Sequence, residues 1–280
     1  MSLKNETAII TGSTSGIGKK IAELFLEEGC KVVVCSRNEE NVQQTVKEFN
    51  HKFRNKVIGV PCDVSNAESV KNLIDKAISA FGSIRILVAN AGINVKYGPL
   101  HFQSIDEIDD IAKKVLGTNL RGVITTITGV LPHMITQGYG RIVTLSGGGA
   151  DRPIENMTVY SASKGGVVAF SKCLAEEFKH LEEDIKINIF QPGMIDTNLN
   201  KNTQLIEDWK DKETYDRDLE IIYKNVATDI DESCRNVLPY VLQKTKSNGK
   251  IFRGFSIFKL IKGFRKVSKE RKKLEKTQTN

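Results

Sequence analysis

Residues 7–18 read TAIITGSTSGIG, and the fold class follows from how this stretch is divided. Thr7-Ala8-Ile9-Ile10 has the apolar composition of a short strand, and a turn with glycines at 12, 16 and 18 follows it at once. Past the turn, Ile17, Ile21, Leu24 and Phe25 recur at helical spacing, with Gly29 placed to end the helix. Lys31 to Cys35, with three consecutive valines, supplies a second strand and completes a βαβ unit. Glycines between a strand and a helix let backbone N–H groups and the helix N-terminus approach a pyrophosphate with no side chain in the way. The spacing differs from G-x-G-x-x-G but meets the same need, and it makes Gly12, Ser13, Ser15, Gly16, Ile17 and Gly18 the candidate cofactor loop.

The same rhythm continues along the chain. Val57 to Cys62 reads as a strand, Val70 to Phe81 as a helix closed by Gly82, and Ile84 to Ala89 as another strand. Strands at Arg141 to Leu145 and Ile185 to Phe190 flank a helix that carries Tyr160 and Lys164. Near-continuous apolar strands alternating with amphipathic helices imply a parallel sheet covered on both faces. The expectation is therefore an α/β, Rossmann-like doubly wound parallel sheet in a single domain over residues 1–253, with ligands bound beyond the carboxyl ends of the strands. Residues 194–229 form a polar excursion holding the only tryptophan, Trp209, and read either as a flap over a pocket or as a surface loop. Cys234, Val237, Leu238, Val241 and Leu242 give one more helix face, and Ile251-Phe252 an edge strand.

Composition limits the alternatives. With 280 residues, 40% hydrophobic and 27% charged, the chain has the make-up of one substantial globular domain. Its net charge of +7 is not evenly spread: from Lys250 onward there are eleven Lys and Arg against Glu270 and Glu275, a net of +9, which leaves about −2 for the rest. The body is near neutral, and no nucleic-acid-reading module accompanies the charge, so nucleic acid is not the expected partner. The five cysteines form no C-x-x-C pair and have no neighbouring His at metal-ligand spacing, which points to a reducing compartment and to no metal. A strand so close to Met1 and the lack of any apolar run near 18 residues suggest a cytoplasmic protein.

The end of the second strand sets the cofactor expectation. A carboxylate there holds the ribose hydroxyls of NAD, whereas a 2′-phosphate calls for an arginine and no acid. Ser36 and Arg37 occupy the position, so NADP(H) is expected, with NAD(H) as the other possibility.

Taken together, these motifs resemble the short-chain dehydrogenase/reductase family, in its compact branch of roughly 250 residues, from about Lys4 to Arg253. The resemblance implies adenine contacts from Asp63 and Val64 and a structural Asn90-Ala91-Gly92. It further implies a helix-borne Asn119, the Tyr160-x-x-x-Lys164 pair, and Pro192-Gly193 leading through Ile195 to Thr197 near the nicotinamide. It also implies a homodimer or homotetramer paired through the helices that carry Asn119 and Tyr160.

Hydride transfer between a nicotinamide and a carbonyl needs a proton exchanged at the substrate oxygen. Tyr160 and Lys164, at i and i+4, share a helix face, so that Lys164 is expected to lower the phenol's pKa. By resemblance Lys164 also holds the nicotinamide ribose, and Asn119 anchors a relay water. The family's carbonyl-polarising serine lies thirteen residues before the tyrosine, where this chain has Gly147. Ser146 is one residue earlier, on the opposite face of a regular strand. Three readings follow: the Gly147–Gly149 run lets Ser146 turn into the site, the N–H groups of that run replace the hydroxyl, or turnover is impaired and the protein is an NADP(H)-binding sensor. Asn94, Tyr97, Ile154, Met194 and Leu199 are the candidate pocket lining, a mixed set compatible with a mid-sized small-molecule alcohol or carbonyl substrate.

Residues 254–280 form a basic tail. Phe255, Phe258, Ile261 and Phe264 recur among Lys259, Lys262, Arg265 and Lys266, the pattern of a basic amphipathic helix, which suits weak contact with a membrane surface. In the competing reading its apolar part packs on the body or a sister subunit and Lys269 to Asn280 is a solvated, disordered end.

Overall fold

A computed structural model describes residues 2–150, 154–197, 199, 203–207 and 209–278. Its main sheet holds seven parallel strands: β1 (Thr7–Thr11), β2 (Lys31–Ser36), β3 (Val57–Pro61), β4 (Ile86–Ala89), β6 (Tyr139–Leu145), β7 (Asp184–Gln191) and β9 (Ile251–Arg253). Their spatial order is β3-β2-β1-β4-β6-β7-β9. In register, Ala8 stands between Val32 of β2 and Ile86 of β4. The chain winds outward from β1 to β3, then restarts at β4 on the other side of β1. That reversal opens a crevice at the carboxyl ends of β1 and β4, where ligands bind in sheets of this kind.

Alternating strand residues feed two cores. Ala8, Ile10, Val32, Val34 and Phe190 face α1 (Gly16–Glu27) and α2 (Glu39–Lys52), packing on Leu24, Phe25 and Phe49. Ile9, Val33, Leu87 and Ile142 face α3 (Ala67–Phe81), α5 (Gly122–Thr136) and α6 (Thr158–Glu177), packing on Leu73, Ile127 and Val167. Gly82 ends α3 in the left-handed conformation its position suggests. The polar helix α2 has no counterpart in the periodicity. It buries only Val42, Thr45 and Phe49, and it is fixed by an Asn38 cap that accepts from the Asn41 N–H at 2.8 Å.

Three other expectations change. The apolar face around Cys234 belongs to two short helices, because Pro239 starts a new one; they follow α7 (Lys212–Val226) and are α8 (Ile230–Arg235) and α9 (Leu238–Val241). The excursion carries structure: β8 (Gln204–Leu205) pairs with β5 (Lys96–Tyr97), and the rings of Trp209 and Tyr215 lie 5.6 and 5.2 Å from that of Tyr97. The tail is helical from Ile257 to Gln278 as α10, rather than disordered from Lys269. Leu260 and Val267 pack on Ile221 and Val226, while Glu270 meets Lys224 and Arg271 meets Asp218 at 3.3 and 3.5 Å, which carries the helix past Lys269.

Candidate active site

Close approach explains the glycine turn. A Cβ on Gly12, whose φ is +65°, would stand 3.0 Å from Cα of Ala91, and one on Gly18 would collide with the Gly12 carbonyl. The turn is clamped across the crevice. Thr11 Oγ1 accepts the N–H groups of Asn90 and Ala91, both at 3.0 Å, and Asn90 Nδ2 donates to the carbonyls of Thr11 and Gly12 at 2.8 and 3.0 Å. Ser13 is fully buried and its hydroxyl accepts the Cys35 N–H at 3.0 Å, so it braces the turn from beneath. Ser15 is exposed and does not cap α1. The first turn of α1 holds no acid, which leaves an N-terminus suited to an anion.

Around this cradle, Arg37 is exposed and has no partner among the described residues. Asp63 Oδ1 is engaged by the N–H and hydroxyl of Ser65 at 2.9 and 2.7 Å, and Val64 packs against Gly122. From far along the chain, Thr197 comes over the turn, with its Cγ2 3.2 Å from where a Gly16 Cβ would be. Pro192 is held through its carbonyl by the Ser233 hydroxyl at 2.7 Å, and Ile195 is buried next to Met194, whose carbonyl takes the Thr228 N–H.

The catalytic candidates converge beside Gly92. A Cβ there would be 3.4 Å from both Asn119 Oδ1 and Lys164 Nζ. Asn119 sits in a π-helical turn, Gly117–Arg121, between α4 (Ile105–Leu116) and α5. Both ends of its amide are engaged: Oδ1 accepts the Ile93 N–H at 2.7 Å, and Nδ2 donates to the Ile93 carbonyl at 2.9 Å and to Ser163 Oγ at 3.0 Å. Ser163 in turn donates to the Tyr160 carbonyl at 2.6 Å. Thr11 and Ser163 are the residues that sequence reading missed. The available signal for Ser163 was a small polar residue at i+3 from Tyr160, on the buried side of its helix.

Lys164 is buried, donates to the Leu145 carbonyl at 3.1 Å, and lies 5.7 Å from the Tyr160 ring centroid. Burial pushes the Tyr160 phenol up to about 12 and the Lys164 ammonium down to about 8. The phenol's shift runs opposite to the expected lowering, because loss of water on burial sets its direction. The resting tyrosine is a neutral phenol able to give a proton.

Ser146 is 3% exposed and its hydroxyl has no hydrogen-bond partner. By strand alternation it shares a face with Thr144, which bonds Ser171 of α6 at 2.9 Å. At Gly147 a Cβ would stand 2.8 Å from the Tyr160 hydroxyl, so the phenol covers the place where the family pattern has its serine. Gly149, at φ +91°, gives its space to Ser161. The N–H groups of Gly147, Gly148 and Gly149 have no acceptor among the described residues.

Residues 6–208 match the sequence pattern of the short chain dehydrogenases. The chain belongs to that family. It is 34% identical to dehydrogenase/reductase SDR family member 4 of Sus scrofa over 210 residues, 75% of this chain and 71% of that protein. It is likewise 34% identical to 2-(R)-hydroxypropyl-CoM dehydrogenase of Xanthobacter autotrophicus over 195 residues, 69% and 76% of the two. Among solved structures, 3-ketoacyl-(acyl-carrier-protein) reductase from Brucella melitensis, complexed with NADH, superposes with a TM-score of 0.75 at 26% identity over 90% of this chain and 97% of that one. Levodione reductase superposes with a TM-score of 0.77 at 25% identity, over 94% and 98%. As a member of this family the short-chain dehydrogenase described here is an oxidoreductase with a nucleotide-binding Rossmann-like domain. No described helix is long and apolar enough to cross a membrane.

Not every pocket candidate lies at the site. Asn94 borders a small cleft with Tyr160, Gln103 and Met157, and Ile154 Cδ1 reaches Gly148. Met194 instead packs toward α7 and α10, Tyr97 is covered by Trp209 and Tyr215, and Leu199 accepts the Thr203 hydroxyl through its carbonyl at 2.8 Å.

Proposed function

We propose that the protein is an NADP(H)-dependent oxidoreductase that interconverts a secondary alcohol and a ketone or reduces an aldehyde. The observation that carries this reading is the neutral, part-buried Tyr160 beside a buried Lys164, at the end of the sheet where the glycine cradle opens. NADP(H), when bound, supplies or accepts the hydride. In the reducing direction Tyr160 gives its proton to the carbonyl oxygen as the carbon gains hydride; in the oxidising direction the phenolate takes the alcohol proton back. Lys164 would stabilise that phenolate and hold the nicotinamide ribose of a bound cofactor, and Asn119 would anchor the water that returns protons to Lys164. Ser146 polarises the carbonyl, a role supported by its unpartnered hydroxyl. The unpaired N–H groups of Gly147–Gly149 support the second reading, in which backbone takes the serine's place.

Cofactor choice rests on Arg37. It is unpaired and accompanied by no acid before Glu39, so it is suited to a 2′-phosphate. The test is oxidation of NADPH and NADH against a panel of aldehydes and ketones, with wild type and Arg37→Ala side by side. NADPH is preferred by wild type, and Arg37→Ala weakens it roughly 30-fold while leaving NADH unchanged. Equal use of both cofactors, unmoved by the substitution, sinks the NADP(H) assignment. Binding of NADPH with no turnover of any compound favours the sensor reading. The described part of the polar excursion 194–229 closes the substrate side, and subunits pair through the helices carrying Asn119 and Tyr160, a pairing that light scattering tests. Four buried, unpaired thiols, Cys30, Cys35, Cys62 and Cys234, support a reducing, cytoplasmic setting.

A further inference from the structure

Helix α10 divides into three sectors. Leu260, Gly263 and Val267 face the body, and Gly263 is needed because any side chain there would meet the Asn225 carbonyl. A second sector, on the first two turns, is apolar and open to solvent: Phe258 is 86% exposed, Phe264 50%, and Ile257 and Ile261 43% each. Single exposed apolar residues are ordinary, but four on one helix spanning about 10 Å are a patch. The third sector, next to the second at about 100° per residue, carries Lys262, Arg265, Lys269 and Lys272, all exposed.

Between Ile257 and Leu274 there are eight Lys and Arg and one acid, Glu270, which is engaged by Lys224. Lys262, Arg265, Lys266, Lys269 and Lys272 have no acidic partner among the described residues. A cleft of about 290 Å³ beneath the helix is lined by Lys259, Lys262 and Lys266 and by Asp229 and Glu232, of which Glu232 meets Lys259 at 3.5 Å. The outer face carries Arg265, Lys269 and Lys272, all exposed and with no acidic partner among the described residues, beside the exposed aromatics.

We infer that the outer face of α10 docks on an anionic lipid bilayer, with Phe258, Ile261 and Phe264 entering the headgroup region and Lys262, Arg265, Lys269 and Lys272 meeting lipid phosphates and carboxylates. Apolar side chains beside basic ones, on one face of a helix held firm by its opposite face, are what an interfacial helix needs. Basic residues near such a surface each strengthen binding about fivefold. A second copy of this neutral-bodied chain offers no matching acidic surface on this helix, which would bring like charge against like. The helix leaves β9 at the carboxyl end of the sheet, so docking sets the rim that carries Tyr160 close to the membrane.

The experiment is sedimentation of the full chain with vesicles of phosphatidylcholine alone and of phosphatidylcholine with about 30 % phosphatidylserine, alongside light scattering of the free protein. Binding is expected to the phosphatidylserine vesicles, at least tenfold stronger than to phosphatidylcholine, and to fall steeply with salt. Phe258→Ser with Phe264→Ser weakens it about tenfold, and Lys262→Glu, Arg265→Glu and Lys269→Glu together abolish it, with circular dichroism unchanged. Equal binding to both vesicles, no binding, or binding unmoved by either set overturns the inference. So does an oligomer that dissociates in Phe258→Ser with Phe264→Ser, which would make the patch a contact between copies, or tight duplex DNA binding without vesicle binding.

Discussion

The two ends of one sheet are built to opposite rules. At the amino end, charge is buried and matched. Arg141, wholly enclosed, donates to the carbonyls of Gly140, Asp184, Leu242 and Gln243 and to the Asp184 carboxylate. Glu6 takes Arg85 at 2.6 Å and Gln243 at 3.0 Å, and both guanidiniums lie 4.2 Å from the Tyr139 ring centroid. Among the described residues, the Tyr139 hydroxyl and the Gln137 side-chain carbonyl go without a partner there. At the carboxyl end, among the described residues, the hydroxyls of Ser146 and Ser161 and the N–H groups of Gly147–Gly149 are unmatched, and Lys164 has a single carbonyl for its ammonium. One end spends its polar groups on holding the fold, and the other keeps them for a ligand.

The comparison can be broken or sharpened by substitution. The largest effect belongs to Tyr160→Phe, which removes the proton donor and should lower kcat/KM by about 10³ with the melting temperature unchanged. Residual turnover near the wild-type rate would mean that the carboxyl end works by another group. Next, Arg141→Met leaves several carbonyls unmatched and should cost about 3 kcal/mol of stability in urea titration, with the activity of the folded fraction intact. A loss of activity as large as the loss of stability would show that the two ends are coupled.

Lys164 tests the trade directly. Its folded pKa, near 8, lies below the ordinary 10.5, so the unfolded chain holds the proton more tightly and binds more protons between those values. Stability therefore rises with pH across that window, and the full penalty applies below pH 8. Lys164→Met should abolish activity yet stabilise the apo-protein by roughly 2 kcal/mol at pH 7, with the gain shrinking toward pH 10 in urea titrations at each pH. A variant less stable than wild type at pH 7 would mean that the bond to Leu145 outweighs burial. The smallest effect is at Ser146→Ala: about tenfold in kcat/KM if its hydroxyl holds the carbonyl, and no change if the glycine amides do.

The parallel sheet was legible because each strand announces itself by its apolar run, most of them with a glycine close to one end. The cradle was legible because close approach admits only glycine. Helix α2 was not, since its residues are mostly polar and it leans on two valines made possible by Gly59, where any Cβ would strike Val42. Nor was the Thr11–Asn90 clamp, whose members are 79 residues apart. The direction of the Tyr160 shift was hidden for another reason: a lysine at i+4 can be read from spacing, whereas the water lost around both groups is a property of the closed fold. The π-helical turn at Asn119 has no period of its own to detect.

Arg141 also bears on the order in which the chain can assemble during synthesis. Its guanidinium depends on the main-chain carbonyl of Gln243, 102 residues further on. While the chain is still emerging, a sheet formed from β1 to β7 would have to enclose that charge with part of its donor set unmet, at a cost of several kcal/mol. Closure of the amino end thus waits for the stretch after α9 to leave the ribosome. Helix α10 follows that stretch directly in the chain.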